Sequence, residues 1–385
     1  MFLTDVPEVR YSDPWSTSFE QRLAEFSKGT CRVAYFYEKP DSSTFRYRAY
    51  NMIQALQASG DWISAAYFSL SDIDRIEPVI RTANTLVICR MRYSAQLSHL
   101  ITRAKDRGCR VLFDVDDLVF DPQYVHLVLD TLDAPIDEAG LDLWFASIGR
   151  IGTTLRLCDG VIVTNEYLAE RVRRFADREI HVIPNFLNRE QTILSERIFT
   201  AKKKDGFARS QQLHVGYFSG TPTHNKDFEI AAGAIARLMR RDPRIILRVV
   251  GHLELKSQLA DFSSRIEFHP FQDFLNLQRL VGSTEINLVP LQDNLFTNCK
   301  SELKYFEAGI VGTVTIASPT FTYRSAIDDG ENGFLANNQD WDEKLSLLLE
   351  MMDDYPTIAE RAFEHSEQCY SWANQGPLIE RAVAV

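Results

Sequence analysis

From residue 31 onward, short runs of β-branched and aromatic residues alternate with stretches of helical periodicity, and few folds accommodate that alternation. CRVAYFY (31–37), WISAAYF (62–68), TLVICR (85–90), CRVLFDV (109–115), GVIVTN (160–165) and IHVIP (180–184) read as strands, with helical patterns between them at 46–56, 95–107, 141–158 and 167–175. Strands alternating with helices imply βαβ units, hence parallel sheets covered on both faces. The rhythm lapses over 189–212, which gains lysines and a glycine and suits an interdomain connection. It restarts with LHVGYFS (213–219), IILRVVG (245–251), RIEFHP (265–270), EINLVPL (285–291) and TVTIAS (313–318), separated by helices at 227–241, 274–282 and 301–311. The expected fold is α/β, with two doubly wound domains facing across a cleft. Residues 1–30 form an arm with a short helix at 19–26, 31–200 the first domain, and 201–355 the second. The helical segment 356–385 is positioned to cross back onto the first. A chain of 385 residues has the length for two such cores.

Charge narrows the function. With 42 Lys and Arg against 53 Asp and Glu the net charge is −11, whereas a general nucleic-acid binder needs a basic face to neutralise phosphates. Basic residues cluster at 171–174, 202–204 and 237–244; each reads first as a solvated helix face or loop, with attraction to an anionic membrane as the functional alternative. The six cysteines include no C-x-x-C pair and no metal-ligand grouping with histidine, so reduced thiols are expected. No apolar stretch approaches the ~20 residues that span a bilayer, and no secretory leader opens the sequence. The expected location is cytoplasmic, with any membrane contact peripheral, at the inner face.

In open parallel sheets ligands bind outside the carboxyl ends of the strands. After the run at 213–219 comes the loop SGTPTHNKDFE (219–229). Gly220, Thr221, His224 and Lys226, just ahead of a helix, form a candidate cradle for a diphosphate, because backbone N–H groups and the helix dipole attract anions there. The plain alternative is a turn capped by Asn225 or Asp227. In NCKSELKYFEAGIVG (298–312), Lys300, Lys304 and Glu307 fall at i, i+4 and i+7, putting two cations and a carboxylate on one helix face beside Ser301. Such a face can hold phosphates and accept from a ribose diol; the alternative is an exposed salt-bridged helix. The loop EKPDSSTFRYRAYN (38–51) lacks glycine but carries Arg46 and Arg48. Two residues apart, they lie on different helix faces, so one is expected at the cleft and the other in a structural role. FDVDD (113–117) ends a strand with carboxylates that read either as a capping cluster or, through Asp114 and Asp116, as a metal-binding D-x-D.

Taken in order, VGYFSGTPTHNKDF, LRVVG, INLVPL, KSELKYFEAG and DGENGFL (329–335), preceded by VIVTNEYLAERV and VIPN, resemble the retaining glycosyltransferases of family 4. These have two Rossmann-like domains in the fold called GT-B, and the likeness covers nearly all of 32–336. The resemblance implies transfer of a sugar from a nucleoside-diphosphate sugar, with retention at the anomeric carbon, to a glycan, lipid-linked or protein-linked acceptor. It points to the synthesis of surface polysaccharide or glycoconjugate, with no metal required and no tightly bound cofactor. Lys226 matches the lysine that binds the donor diphosphate. Glu307 matches the second glutamate of the family's E-x7-E motif, which holds the nucleotide ribose. Asp116 or Asp117 then contacts the acceptor hydroxyl and, with Lys226, makes the catalytic set. Gly220, Thr221, His224, Lys300, Ser301, Lys304, Glu307 and Arg46 complete the donor side. The sequence departs from the family at Cys299, which stands eight residues before Glu307 where the first glutamate belongs. That departure keeps a nucleotide-sugar-binding or scaffold protein without catalysis as the alternative. A dinucleotide-dependent oxidoreductase is disfavoured, since no G-x-G-x-x-G follows any strand. Donor base, sugar, acceptor and oligomeric state are left open.

Overall fold

The apolar runs form two six-stranded sheets in which every strand pair is parallel. The computed structural model describes residues 1–4, 6–132, 135–220, 225–254 and 257–384. The first sheet contains β1 (Cys31–Tyr37), β2 (Ile63–Ser69), β3 (Thr85–Cys89), β4 (Arg110–Val115), β5 (Gly160–Val163) and β6 (Glu179–Val182), in the order β2-β1-β3-β4-β5-β6. The second contains β7 (Leu213–Ser219), β8 (Ile245–Gly251), β9 (Ile266–His269), β10 (Ile286–Val289), β11 (Val314–Ala317) and β12 (Phe334–Leu335), in the order β12-β11-β10-β7-β8-β9. Chain direction across the sheet therefore reverses between β1 and β3 and again between β7 and β10. At such a reversal neighbouring loops leave the sheet on opposite faces, which opens a crevice at the carboxyl edge.

Alternation along the strands builds three cores. Val33 and Tyr35 of β1 face inward with Leu194, Ile198, Phe306, Ile310 and Tyr370, so one apolar cluster is shared by both sheets. Ala34 and Phe36 point to the outer face of the first sheet, and Val215 and Tyr217 to the outer face of the second. These strands are buried on both sides, which explains their near-continuous hydrophobic runs.

Three expectations change. The stretch 189–212 is not a loose connection but carries the helix Arg189–Lys204, capped by Asn188, whose side chain accepts from the Gln191 N–H. Its buried stripe mixes Leu194, Ile198 and Phe199 with Gln191, Ser195 and Lys202, and those polar members hide the helical period from a hydrophobicity reading. Lys202, expected on a solvated face, is buried: its Nζ donates to the Gly312 carbonyl at 3.0 Å and Thr313 Oγ1 at 3.1 Å, and burial drives the ammonium pKa well below its ordinary value. The helix expected at 301–311 is shorter, Leu303–Gly309, preceded by the separate turn Leu295–Asn298. Lys300 thus precedes the helix rather than sharing a face with Lys304 and Glu307.

The chain crosses between the sheets twice, side by side. After β6 the segment 183–188 leads to the helix Arg189–Lys204; later Leu187 N–H donates to the Tyr370 carbonyl at 2.8 Å, and Leu187 bridges Ser371. The helix Gly376–Val383 then packs back on the helix Asn51–Gln57 of the first half, while Thr85 Oγ1 donates to the Val383 carbonyl at 2.7 Å. The first crossing is anchored by Arg48, which is fully buried. Its Nε and Nη2 grip Asp114 at 2.7 and 3.0 Å, and Nη1 donates to the Ile183 carbonyl at 2.9 Å and Asn185 Oδ1 at 3.1 Å. Burial pushes the Asp114 carboxyl up to about 6 despite this pairing. Arg48→Met keeps the volume but strands a buried carboxylate, and should cost about 3–5 kcal/mol at pH 7.5. Because Arg48 opposes the upward shift, unpaired Asp114 takes up its proton above about pH 6, and the loss should shrink as pH falls toward 6; urea unfolding at pH 7.5 and 5.5 measures both, and equal losses would refute the role.

Candidate active site

A cavity of about 820 Å³ lies between the carboxyl edges of the two sheets. Its lining comes from the loops that the reversals splay apart. Arg46 follows β1, Arg90 follows β3, and Asp116 and Asp117 follow β4; facing them are Gly220 after β7, Gly251 at the end of β8 and Leu291 after β10.

On the side of the first sheet the carboxylates are organised. Asp116 accepts from Thr44 Oγ1 through Oδ2 at 2.9 Å and from Arg90 Nη1 through Oδ1 at 2.9 Å. Burial would raise its pKa, but Arg90, with Arg48 behind it, holds the carboxyl below its ordinary range. Asp117 sits 3.4 Å from Arg90 Nη1 and 3.6 Å from Lys300 Nζ, so it bridges cations from both halves. Both oxygens of Asp114 are taken by Arg48, so the D-x-D reading lacks a free first carboxylate. Among the described residues no cluster of three or more His, Cys, Asp or Glu offers a metal site.

On the side of the second sheet Lys304 is half-buried, its Nζ 5.2 Å from the centre of the Tyr217 ring. Burial lowers its ammonium to about 8, with Asp227 and Glu307 opposing the drop and Lys300 adding to it. Glu307 is neither exposed nor paired with the lysines of its own segment. Its Oε1 accepts from Tyr47 Oη at 2.5 Å, Gln191 Nε2 at 3.0 Å and Arg46 Nη2 at 3.3 Å. Arg46, 5% exposed, is sandwiched between the rings of Tyr47 and Phe274 at 4.2 and 4.9 Å, and its Nη1 lines up with no hydrogen-bond acceptor. Nη1 is itself enclosed, so what Arg46 offers the cavity it lines is positive charge rather than an open donor.

The cavity thus brings together Arg46, Asp116, Asp117, Gly220, Lys300, Ser301, Lys304 and Glu307. Arg48 faces the interior. Lys226 does not line the cavity; it is exposed at the start of the helix Asn225–Arg241, and its Nζ donates across to the Asp130 carbonyl at 2.7 Å. Thr221 and His224 lie outside the described residues. Cys299 is enclosed, away from the lining, and its carbonyl accepts from Asn165 Nδ2 at 2.9 Å. Sequence reasoning missed Thr44, Tyr47, Arg90 and Gln191. The only sequence signal for Arg90 was its place as the last residue of the run 85–90, at a strand end; Gln191 carried no local signal.

Two parallel, doubly wound sheets joined by a double crossing, with charged loops meeting at their carboxyl edges, define a GT-B-type α/β protein. Residues 212–354, containing the whole second sheet, match the family model of glycosyl transferases group 1. In fold, the chain is similar to Anabaena HepE in complex with UDP (TM-score 0.59, 13% identity, 91% of this chain and 99% of that one). It is also similar to the Thermosynechococcus elongatus sucrose-phosphate synthase (TM-score 0.57, 14% identity, 91% and 96%). A third similar structure is a variant of S. aureus TarM bound to fondaparinux, α-GlcNAc-glycerol and UDP (TM-score 0.56, 14% identity, 81% and 58%). None of the curated proteins matches the sequence.

Glu307 is the anchor between the halves, so Glu307→Ala, which leaves Arg46 buried without a counter-ion, should destabilise by about 3–5 kcal/mol. Lys300→Ala, which breaks only a partly exposed pair, should cost under about 1 kcal/mol. Parallel urea titrations compare them; equal effects would remove Glu307 from that role.

Proposed function

We propose that the chain is a glycosyltransferase that moves a sugar from a nucleoside-diphosphate sugar to a hydroxyl of a glycan or glycoconjugate acceptor, with retention at the anomeric carbon. The observation that carries this reading is the polarity of the cavity: Lys300 and Lys304 on the side of the second sheet, and Arg46 with the ordered carboxylates Asp116 and Asp117 on the side of the first. Its volume suits a nucleotide sugar. The UDP in the HepE and TarM structures supports the donor class, and α-GlcNAc-glycerol in the TarM structure supports a hydroxylic acceptor.

In this reading 201–355 is the donor half and 31–200 the acceptor half. The diphosphate meets Lys300, Lys304 and Arg46, while the bare backbone at Gly220 allows close approach. All three hydrogen bonds to Glu307 go to Oε1; in this reading Oε2 accepts from the ribose diol. Lys226, given to the diphosphate by resemblance, stands at the rim. The acceptor oxygen, oriented by Asp116 or Asp117, attacks the anomeric carbon. The bond from that carbon to the diphosphate oxygen breaks, and its electron pair goes to the phosphate. On the same face the leaving oxygen receives the acceptor proton. Cations fixed before the reaction stabilise the developing charge without reorganisation. Binding without transfer draws its motive from Cys299, and that residue does not line the cavity.

A thermal-shift panel of nucleoside diphosphates and their sugars, followed by transfer assays with the donors retained, tests the proposal; a ligand at 100 times its Kd should add about 2.7 kcal/mol of stability. Failure of every nucleotide to stabilise the protein would overturn it. Because an anion binds the charged form of Lys304, affinity should hold below about pH 8 and fall as pH rises through that value. The slope should be up to about tenfold per pH unit, as expected for one linked proton. Calorimetry with UDP between pH 7.5 and 9.5 should show this slope in wild type and lose it in Lys304→Gln.

A further inference from the structure

Arg90 has a backbone that its side chain must justify. It follows β3 beside the sheet reversal with φ of 47°, one of only two non-glycine residues at positive φ among those described. Its N–H donates to the Asp114 carbonyl at 2.8 Å. Any residue could make that bond, and glycine could make it without the strain that a Cβ suffers in the left-handed region. The guanidinium is what glycine lacks. Nη1 alone reaches Asp116 Oδ1 at 2.9 Å, Thr44 Oγ1 at 3.3 Å and Asp117 Oδ2 at 3.4 Å.

We propose that Arg90 is a positioning residue for transfer: it fixes Asp116 as an ionised, oriented acceptor for the hydroxyl of the incoming substrate and, through Asp117, links that carboxylate to Lys300 on the donor side. The proposal rests on the reading of Asp116 as the acceptor-side group. With Oδ1 held by Arg90 and Oδ2 by Thr44, Asp116 cannot rotate, yet each carboxylate oxygen keeps a lone pair for one more donor. Around it stand Arg48 with Asp114, Asp117 with Lys300, and the neutral Tyr37 and Cys89, both pushed up by burial. Arg48 is committed to Asp114 and Lys300 lies beside Asp117, so without Arg90 Asp116 keeps only the more distant Arg48 against two neighbouring carboxylates, and it takes up a proton more readily. The Asp117 contact adds a second consequence, because Lys300 belongs to the other half of the chain. Strain held at a functional position is the expected cost of such placement.

The test compares wild type, Arg90→Lys, Arg90→Met and Asp116→Asn. Without substrate, the carboxyl 13C resonance of Asp116, assigned by its absence in Asp116→Asn, should titrate at higher pH in Arg90→Met than in wild type, with Arg90→Lys between them. An unmoved midpoint overturns the proposal. In transfer assays with the donor and acceptor found by the panel, Asp116→Asn should lose ~100-fold in kcat, the scale of a positioned proton acceptor. Arg90→Met should lose about tenfold or more in kcat, its acidic limb moving to higher pH, and Arg90→Lys should recover part of the loss. Full turnover in Asp116→Asn sinks the acceptor-side reading. A loss there with unchanged kcat and pH profile in Arg90→Met sinks only the role of Arg90. A cooperative urea transition and an unchanged circular-dichroism spectrum in Arg90→Met serve as the control for folding, and Arg90→Lys replaces it if the methionine variant fails that control.

Discussion

The fully buried pair of Arg48 and Asp114 is the constraint from which the cleft takes its geometry. Removing two ions from water costs several kcal/mol each unless every donor and lone pair is engaged. Here the guanidinium spends two nitrogens on the carboxylate and the third on Ile183 and Asn185. That geometry holds the end of β4 against the start of the first crossing. Asp116 and Asp117 lie two and three residues beyond this fixed point and inherit its position. Arg48 also orients its own segment: the turn Arg46–Tyr50 is π-helical, and with Arg48 locked inward, Arg46 and Tyr47 are presented to Glu307.

The cleft is consequently preformed rather than assembled from two loosely tethered bodies. Glu307 draws donors from residues 46, 47 and 191 to a single oxygen, and the apolar cluster beneath it takes side chains from both sheets. Close-packed interiors transmit displacement, so a shift of the loop at 42–47 relative to the second sheet is felt at the same carboxylate that faces the cavity.

Most of the architecture was legible because both faces of each strand are buried, and burial on both faces writes itself into sequence as an uninterrupted apolar run. β12 escaped notice at two residues, too short for any period to register. The helix Arg189–Lys204 escaped because it packs polar side chains inward, where Gln191 and Lys202 meet partners more than 100 residues away. The same physics limits the site. Lys304 could be nominated from helical spacing and Asp116 from its place after a strand, whereas the environment of Glu307 depends on where the two sheets settle relative to each other, and no local pattern encodes a contact across 260 residues. Lys226 was nominated on its place in a loop, and the structure directs its ammonium to a carbonyl of the facing half.

The double crossing bears on the order in which the molecule can be completed. The helix Gly376–Val383 covers the helix Asn51–Gln57 and caps Thr85 of the first sheet, so a chain emerging from the ribosome builds its first sheet long before the segment that seals it. Until then an apolar flank containing Ala55 and Leu56 stays open to water, and partly covered surfaces of this kind are where nascent chains aggregate. The first half is therefore closed only once residues 376–383 have been made, and the burden on chaperones falls on the interval before that.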